Sequence, residues 1–166
     1  MSASLTGLTL VGVTPFVALQ SAKAQTVNSY KISVVSYFVE KDQRRPNRNW
    51  EGLLELRGLF SVNNQGVTIL PAPNSYQTAG QGQTINLNRQ LSTITTTSSS
   101  LEIPIKAQFE EIEKGFGGGD DFGEATGSIT LDGSSEVTTT VRVSIPGDTT
   151  FEREATVVVT FKAEKI

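Results

Sequence analysis

The feature that most constrains the fold of this chain is a succession of short β-branched segments from Thr26 to the C-terminus. Gly, Pro, Asn and Asp residues interrupt these segments and are typical of turns. β-Branched side chains pack well on a pleated sheet but lose rotamer freedom in a helix. No stretch of this region has a convincing helical period of apolar residues. The sequence therefore predicts an all-β domain.

Alternation of apolar and polar residues locates the strands of this domain. Tyr30–Val39 begins with alternation and becomes continuously apolar, as a central strand does. Near the C-terminus, Val157, Val159 and Phe161 alternate with Thr156, Val158 and Thr160, which predicts one apolar, buried face and one more polar face. A pair of strands is predicted around the turn Asp132–Ser135. The turn spacing indicates about eight or nine strands and favours an antiparallel two-sheet β-sandwich over a barrel.

Two further segments are predicted to lie at the surface. Residues 92–100 contain eight Ser or Thr in nine positions, a composition that is also found in glycosylated linkers. Ile94 among the threonines favours an exposed edge strand followed by a turn. Residues 71–84 show no periodicity and are rich in Pro, Gly, Gln and Asn, which predicts a surface loop.

Length and charge limit the domain count and the partners. A chain of 166 residues suits one domain, because this size buries about two thirds of the unfolded surface around one core. The 14 basic and 17 acidic residues give a net charge of −3, and no basic cluster is interleaved with aromatic residues. We therefore expect no nucleic-acid partner.

The chain contains no histidine and no cysteine. This removes imidazole and thiolate nucleophiles, the usual Ser/His and Cys/His pairs, and ordinary zinc or copper sites. A hydrolase that uses only carboxylates is an alternative, but such sites usually occupy larger clefts lined with aromatic residues, which make up 7% of this chain. We therefore predict that the protein is not an enzyme.

The first 24 residues predict export. The segment Leu5–Leu19 is apolar, and Ala22-Lys23-Ala24 gives the small-x-small pattern of a signal-peptidase site before Gln25. Cleavage there leaves residues 25–166 as one mature domain in the periplasm, at the cell surface or outside the cell. The apolar stretch is shorter than the roughly 20 residues that a transmembrane helix needs. Alternatively, residues 1–24 are retained as an arm that pairs with the sheet edge of a neighbouring subunit.

An acidic, glycine-rich segment between Phe109 and Leu131 contains the candidate metal ligands. Calcium takes six to eight oxygen ligands, and the flexible run Gly117–Gly119 could bring several carboxylates together. The candidate ligands are Glu113, Asp120, Asp121 and Glu124. The alternative is a solvated acidic loop that pairs with the arginines of the preceding basic loop and holds no cofactor.

Candidate partner-binding residues lie in the two charged loops. Basic side chains suit an anionic partner, and exposed aromatic side chains are typical of binding hot spots. The candidates are Arg44, Arg45, Arg48, Trp50 and Phe116. Trp50 could instead cover an open end of the core. Phe122 is predicted to face the core as the first apolar residue of the returning strand.

The acidic segment resembles the strand, acidic loop and Gly-Glu return strand of C2-like β-sandwich domains. The match covers residues 101–131, including Phe122-Gly123-Glu124, and residues 30–58 are similar to the first two strands of that fold, with Asp42 at an acidic loop position. The resemblance implies a C2-like sandwich. The basic residues in the loop that follows Asp42 depart from the family pattern and oppose calcium binding.

These observations predict a non-enzymatic, exported structural or assembly subunit, such as a component of a homo-oligomeric surface layer or filament. Its partner would be another copy or another surface protein. The alternative is a monomeric C2-like binding module that uses its loops on calcium, a carbohydrate, a lipid headgroup or a protein.

Overall fold

The computed structural model describes residues 25–42, 53–112, 120–147 and 154–166, and this part of the chain forms strands and turns without a helix. The strands, in chain order, are β1 (Asn28–Lys41), β2 (Leu54–Val62), β3 (Gln65–Leu70), β4 (Gln77–Ala79), β5 (Thr84–Thr96), β6 (Leu101–Glu111), β7 (Asp121–Leu131), β8 (Glu136–Ile145) and β9 (Ala155–Lys165).

The nine strands form two antiparallel sheets that pack face to face, which confirms the predicted β-sandwich. The four-stranded sheet, here called sheet A, has the order β5-β1-β9-β8. The five-stranded sheet, sheet B, has the order β3-β2-β6-β7, and β4 also pairs with β2. Leu56 of β2 pairs with β4 on one side and with β6 on the other, so β3 and β4 share one edge of sheet B.

The core lies between the sheets and follows from the alternation seen in the sequence. Every second residue of β2 and of β6 is buried, and β1 and β9 contribute long apolar runs from the centre of sheet A. Two edge-to-face ring contacts join the sheets, with centroid distances of 5.1 Å for Tyr37–Phe109 and 6.2 Å for Phe60–Phe161, and a third, Phe60–Phe109 at 5.8 Å, lies within sheet B. Offset and edge-to-face ring pairs stabilise a core beyond the area that they bury.

The two sheets come together along one side, where β7 borders β8. The prediction that these strands form one hydrogen-bonded pair is wrong, because the chain leaves sheet B after Leu131 and enters sheet A at Glu136. A Cβ at Gly123 would overlap the Ser144 carbonyl oxygen and lie 3.0 Å from Ile145 Cα. The absence of a side chain therefore permits backbone-to-backbone contact between the sheets. We call this side the closed side.

Two smaller predictions also need correction. Phe122 is 53% exposed, because it occupies the outward position between the buried neighbours Asp121 and Gly123 on β7. Within the predicted surface loop 71–84, the short strand β4 pairs with the first residues of β2. The Thr-rich segment is confirmed as part of an edge strand, β5, that ends in a turn.

We expect Gly123→Ala to destabilise the protein, because the new methyl group would force β7 away from β8. Overpacking of a well-packed site costs about 1–3 kcal/mol, and here the obstacle is backbone that cannot rotate away. Gly127→Ala is the matched control on the same face of β7, since its Cβ would meet side chains and no backbone, Val141 at 3.0 Å and Ile105 at 3.9 Å. Urea unfolding of both variants measures the difference, and equal stability would contradict the closed-side packing.

Tyr37 carries a buried hydroxyl that has no hydrogen-bond partner in the described structure. Its side chain is 3% exposed, and burial raises the pKa of Tyr37 above the usual value of a tyrosine. Tyr30 differs, because its hydroxyl oxygen accepts a hydrogen bond from Gly133 N at 3.1 Å. The two tyrosines therefore form a natural pair for comparison.

Tyr37→Phe should raise the free energy of unfolding by about 1 kcal/mol, because it removes an unsatisfied buried hydroxyl. Tyr30→Phe should lower it by about the same amount. Because burial raises the pKa of Tyr37 in the folded protein, Tyr37 ionises more readily in the unfolded chain. The free energy of unfolding is therefore unaffected by this ionisation below about pH 10 and falls as the pH rises further. Denaturant titrations at neutral and alkaline pH test this, and Tyr37→Phe should show a weaker alkaline loss than the wild type.

Candidate functional site

Buried carboxylates gather at one end of the sandwich. Glu111 and Asp121 are directly opposite each other in the β6–β7 ladder and are 7% and 6% exposed. Asp42 is buried just after β1, where its Oδ2 accepts a hydrogen bond from Gln81 N at 3.2 Å. We call Asp42, Glu111 and Asp121 the acidic end.

Strand periodicity explains why these acids are buried. The inward positions of β6 run through Ile105 and Phe109 to Glu111, so the last inward residue is charged. Desolvating a carboxylate is costly unless it is hydrogen-bonded or paired. All three members of the acidic end take part in hydrogen bonds or electrostatic interactions. The sequence contains a signal for this buried pair. The alternation of apolar residues along β6 continues onto the acid Glu111, which faces Asp121 in the ladder.

The structure places the predicted metal ligands in different surroundings. Asp120 is exposed and Asp121 is buried, whereas Glu113 lies outside the described residues. Glu124 points outward from β7, and its Oε2 lies 2.7 Å from Lys106 Nζ. Asp121 and Glu124 are three positions apart in one strand and so occupy opposite faces of it. Among the residues described, no three acids are grouped as a metal site.

The predicted partner-binding residues, Arg44, Arg45, Arg48, Trp50 and Phe116, all lie outside the described residues. Pairing between those arginines and the acidic loop therefore stays a prediction. The pairing of strands within the sheets shows where the strands next to these residues end. Lys41 pairs with Thr156, and Glu111 pairs with both Leu56 and Asp121, at the acidic end of their sheets.

The outer face of sheet A is covered by cross-strand ion pairs. Glu164 Oε2 lies 2.9 Å from Lys31 Nζ, and its other oxygen accepts a hydrogen bond from Lys162 at 3.0 Å. The hydrogen bond from Lys31, together with that from Lys162, lowers the pKa of Glu164, and the bond to Glu164 raises the pKa of Lys162. Arg142 also pairs with Glu40. This face is therefore solvated and balanced in charge.

The outer face of sheet B has the same character. Arg57 Nε donates a hydrogen bond to Glu110 Oε2 at 2.6 Å, and Lys106 pairs with Glu124. The exposed Phe122 is one of a few large apolar side chains that break this polar surface. Among the residues that the structure describes, neither face presents a charge field of one sign, which a strongly charged partner would need.

Among the described residues, the side opposite β7 and β8 carries one unpaired edge of each sheet. The edge strand of sheet A, β5, has 13 residues, of which only Arg89 is charged. Its inward apolar residues, including Ile85 and Ile94, are only partly buried, as is Leu70 at the edge of sheet B. The four residues 80–83 link β4 to β5, so the two edges lie on the same side. We call this side the open side.

Compared with models of known protein families and with curated proteins, the sequence matches none of them. The functional argument therefore rests on the surfaces described above. Within the described part of the chain, no helix is long and apolar enough to cross a membrane.

We expect calcium at millimolar concentration to leave the melting temperature unchanged. Glu124 is bound to Lys106 on the face of β7 opposite to Asp121, and a ligand that binds only the folded state must raise the melting temperature. Thermal unfolding in calcium and in chelator measures this. A rise that Asp121→Asn abolishes and Glu102→Gln, an exposed control on β6, preserves would instead establish a calcium site at the acidic end.

Proposed function

We propose that this protein is an exported, non-enzymatic structural subunit whose copies associate through the open side of the sandwich. The observation that carries the proposal is the contrast between the two lateral sides. The closed side brings β7 and β8 into backbone contact. The open side leaves β5, a long and almost uncharged strand, with one edge unpaired in the described structure.

An unpaired edge strand is a ready template for another strand, and monomeric proteins usually protect it with charges, bulges or a short length. β5 has a single charged residue over its 13 positions. The edge formed by β3 and β4 is different, because residues 71–76, which include Pro71 and Pro73, separate two short strands. β5 is therefore the better surface for sheet-edge association.

The remaining surfaces support the same conclusion. Both outer faces carry ion-paired side chains, which contribute little binding energy while they stay solvated. Export is supported by the apolar segment before Ala22-Lys23-Ala24. A non-enzymatic role is supported by the absence of histidine and cysteine from the sequence.

A second candidate function is a monomeric C2-like binding module that acts at the acidic end. The observation that favours it is the buried, facing pair Glu111 and Asp121, because these acids lie at the strand ends on either side of the acidic, glycine-rich segment. Its ligand would be calcium, a carbohydrate, a lipid headgroup or a protein. The calcium measurement tests the first of these ligands.

We expect the protein to associate with itself as its concentration rises. Sedimentation velocity from micromolar to millimolar concentration should show the average mass increasing above that of one chain. The intact mass of the exported protein should correspond to a chain that begins at Gln25. A monomer at every concentration would overturn the assembly proposal, and a retained N-terminus would overturn the cleavage prediction.

A further inference from the structure

We propose that two copies of the chain pair through residues Ser92–Thr96 of β5, antiparallel and about a two-fold axis at Ile94. The pairing would join the two copies of sheet A into one continuous sheet. This inference rests on the proposed self-association and specifies the strand, the register and the symmetry of the contact.

The ladder between β5 and β1 shows why this stretch of the edge is suited to pairing. From Ser92 to Thr96, β5 runs in unbroken register against residues 28–32 of β1. The register then shifts twice, once before the pair Ser33–Gln90 and once after the pair Val34–Arg89. Asn88, the next residue of β5, has a positive φ of 47°. Bulges twist and blunt an edge strand. The middle of β5 is therefore protected, and the last five residues form the longest regular stretch of the edge.

The order of side chains in this stretch is nearly palindromic. Ser92, Thr93, Ile94, Thr95 and Thr96 read as hydroxyl, Thr, Ile, Thr, hydroxyl from either end. In a two-fold contact residue i of one copy meets residue j of the other, and residue j meets residue i. With the axis at Ile94, the nearly palindromic order therefore places side chains of the same kind opposite each other. Ile94 would face the partner's Ile94, and Thr93 would face the partner's Thr95.

The two faces of β5 give each of these pairs a suitable environment. Ile94 pairs with the buried Tyr30 and packs partly against the core, so an Ile–Ile pair would extend the apolar layer from one copy to the next. Thr93 and Thr95 are exposed on the outer face, where Thr95 Oγ1 already shares a hydrogen bond with Ser29 Oγ at 3.0 Å. Thr–Thr and apolar cross-strand pairs both stabilise a sheet.

Charge does not oppose the contact. The five residues carry no charge, and the charged residue nearest to them on β5, Arg89, would lie beside the partner's turn residues 97–100. The two copies of Arg89 would be separated by about ten residue steps, or roughly 33 Å along the strands. Ser98 N donates to Thr96 Oγ1 at 3.0 Å, which turns the chain away at the end of the strand. A contact of this size is small, so we expect it to form at high protein concentration.

Cysteine pairing tests the register directly, because the chain has no cysteine of its own. Thr93→Cys and Thr95→Cys are made as separate full-length variants and oxidised alone and as a mixture. Residues directly opposite in an antiparallel pair lie about 4.5–5.5 Å apart between Cα atoms, within disulfide range, whereas diagonal neighbours lie about 7–8 Å apart. We expect a covalent dimer in the mixture and none from either variant alone.

Charge variants test the same contact without a covalent bond. Thr93→Glu with Thr95→Glu would place two pairs of like charges across the axis and should weaken the dimer about tenfold or more. Thr93→Glu with Thr95→Lys would place opposite charges there and should keep the wild-type affinity within about threefold. Thr93 lies opposite Lys31 of β1, so the glutamate has a favourable neighbour in the isolated chain.

The matched control is Thr138→Glu with Thr140→Glu on β8, the other edge strand of sheet A. Thr138 also lies opposite a lysine, Lys162, and both threonines are exposed on the same outer face. This control should dimerise as the wild type does, and melting temperatures should show that every variant is folded.

Self-association without a covalent dimer in the cysteine mixture, or self-association unaffected by the two glutamates on β5, would overturn this inference and leave the assembly proposal intact. A monomer at every concentration would overturn both.

Discussion

The backbone contact between β7 and β8 is the constraint on which the rest of the molecule depends. Gly123 removes the side chain that would otherwise hold Ser144 and Ile145 at a distance, so the two sheets meet at one lateral side. On the opposite side, the inward apolar residues of β5 and of β3 stay only partly buried. The position of the closed side therefore decides that β5 and the β3–β4 edge are the surfaces left open.

The acidic end shows a second use of the same strand geometry. The inward stripe of β6 ends on Glu111, and the ladder places Asp121 beside it. Burial of two carboxylates is tolerated only where polar partners compensate for lost hydration, and both have such interactions. Burial of these two acids therefore costs stability at one end of a core whose remainder is apolar and aromatic.

Much of the fold follows from residue order alone. The alternation in β2, β6 and β9 and the continuous apolar run of β1 indicate which residues are buried and which strand is central. The turn at Asp132–Ser135 misled the prediction, because a tight turn looks the same whether the next strand stays in its sheet or crosses to the other. What separates these cases is the packing of Gly123 against Ser144, which no local sequence pattern contains.

The expected burial of Phe122 is wrong for a related reason, since a shift of one residue in register exchanges the two faces of a strand. For the site, the sequence identified acids and arginines by type, but their convergence depends on loop conformation rather than on strand periodicity.

The interrupted ladder between β5 and β1 also limits how many copies of the protein can assemble through β5. A strand whose longest regular stretch is its last five residues offers one main template, and a two-fold contact occupies that template in both copies at once. Such an interface is closed, so it yields pairs and cannot by itself propagate into a fibre. A layer or filament built from this protein would consist of paired units joined by a second, different contact, and the two contacts could be strengthened or weakened independently.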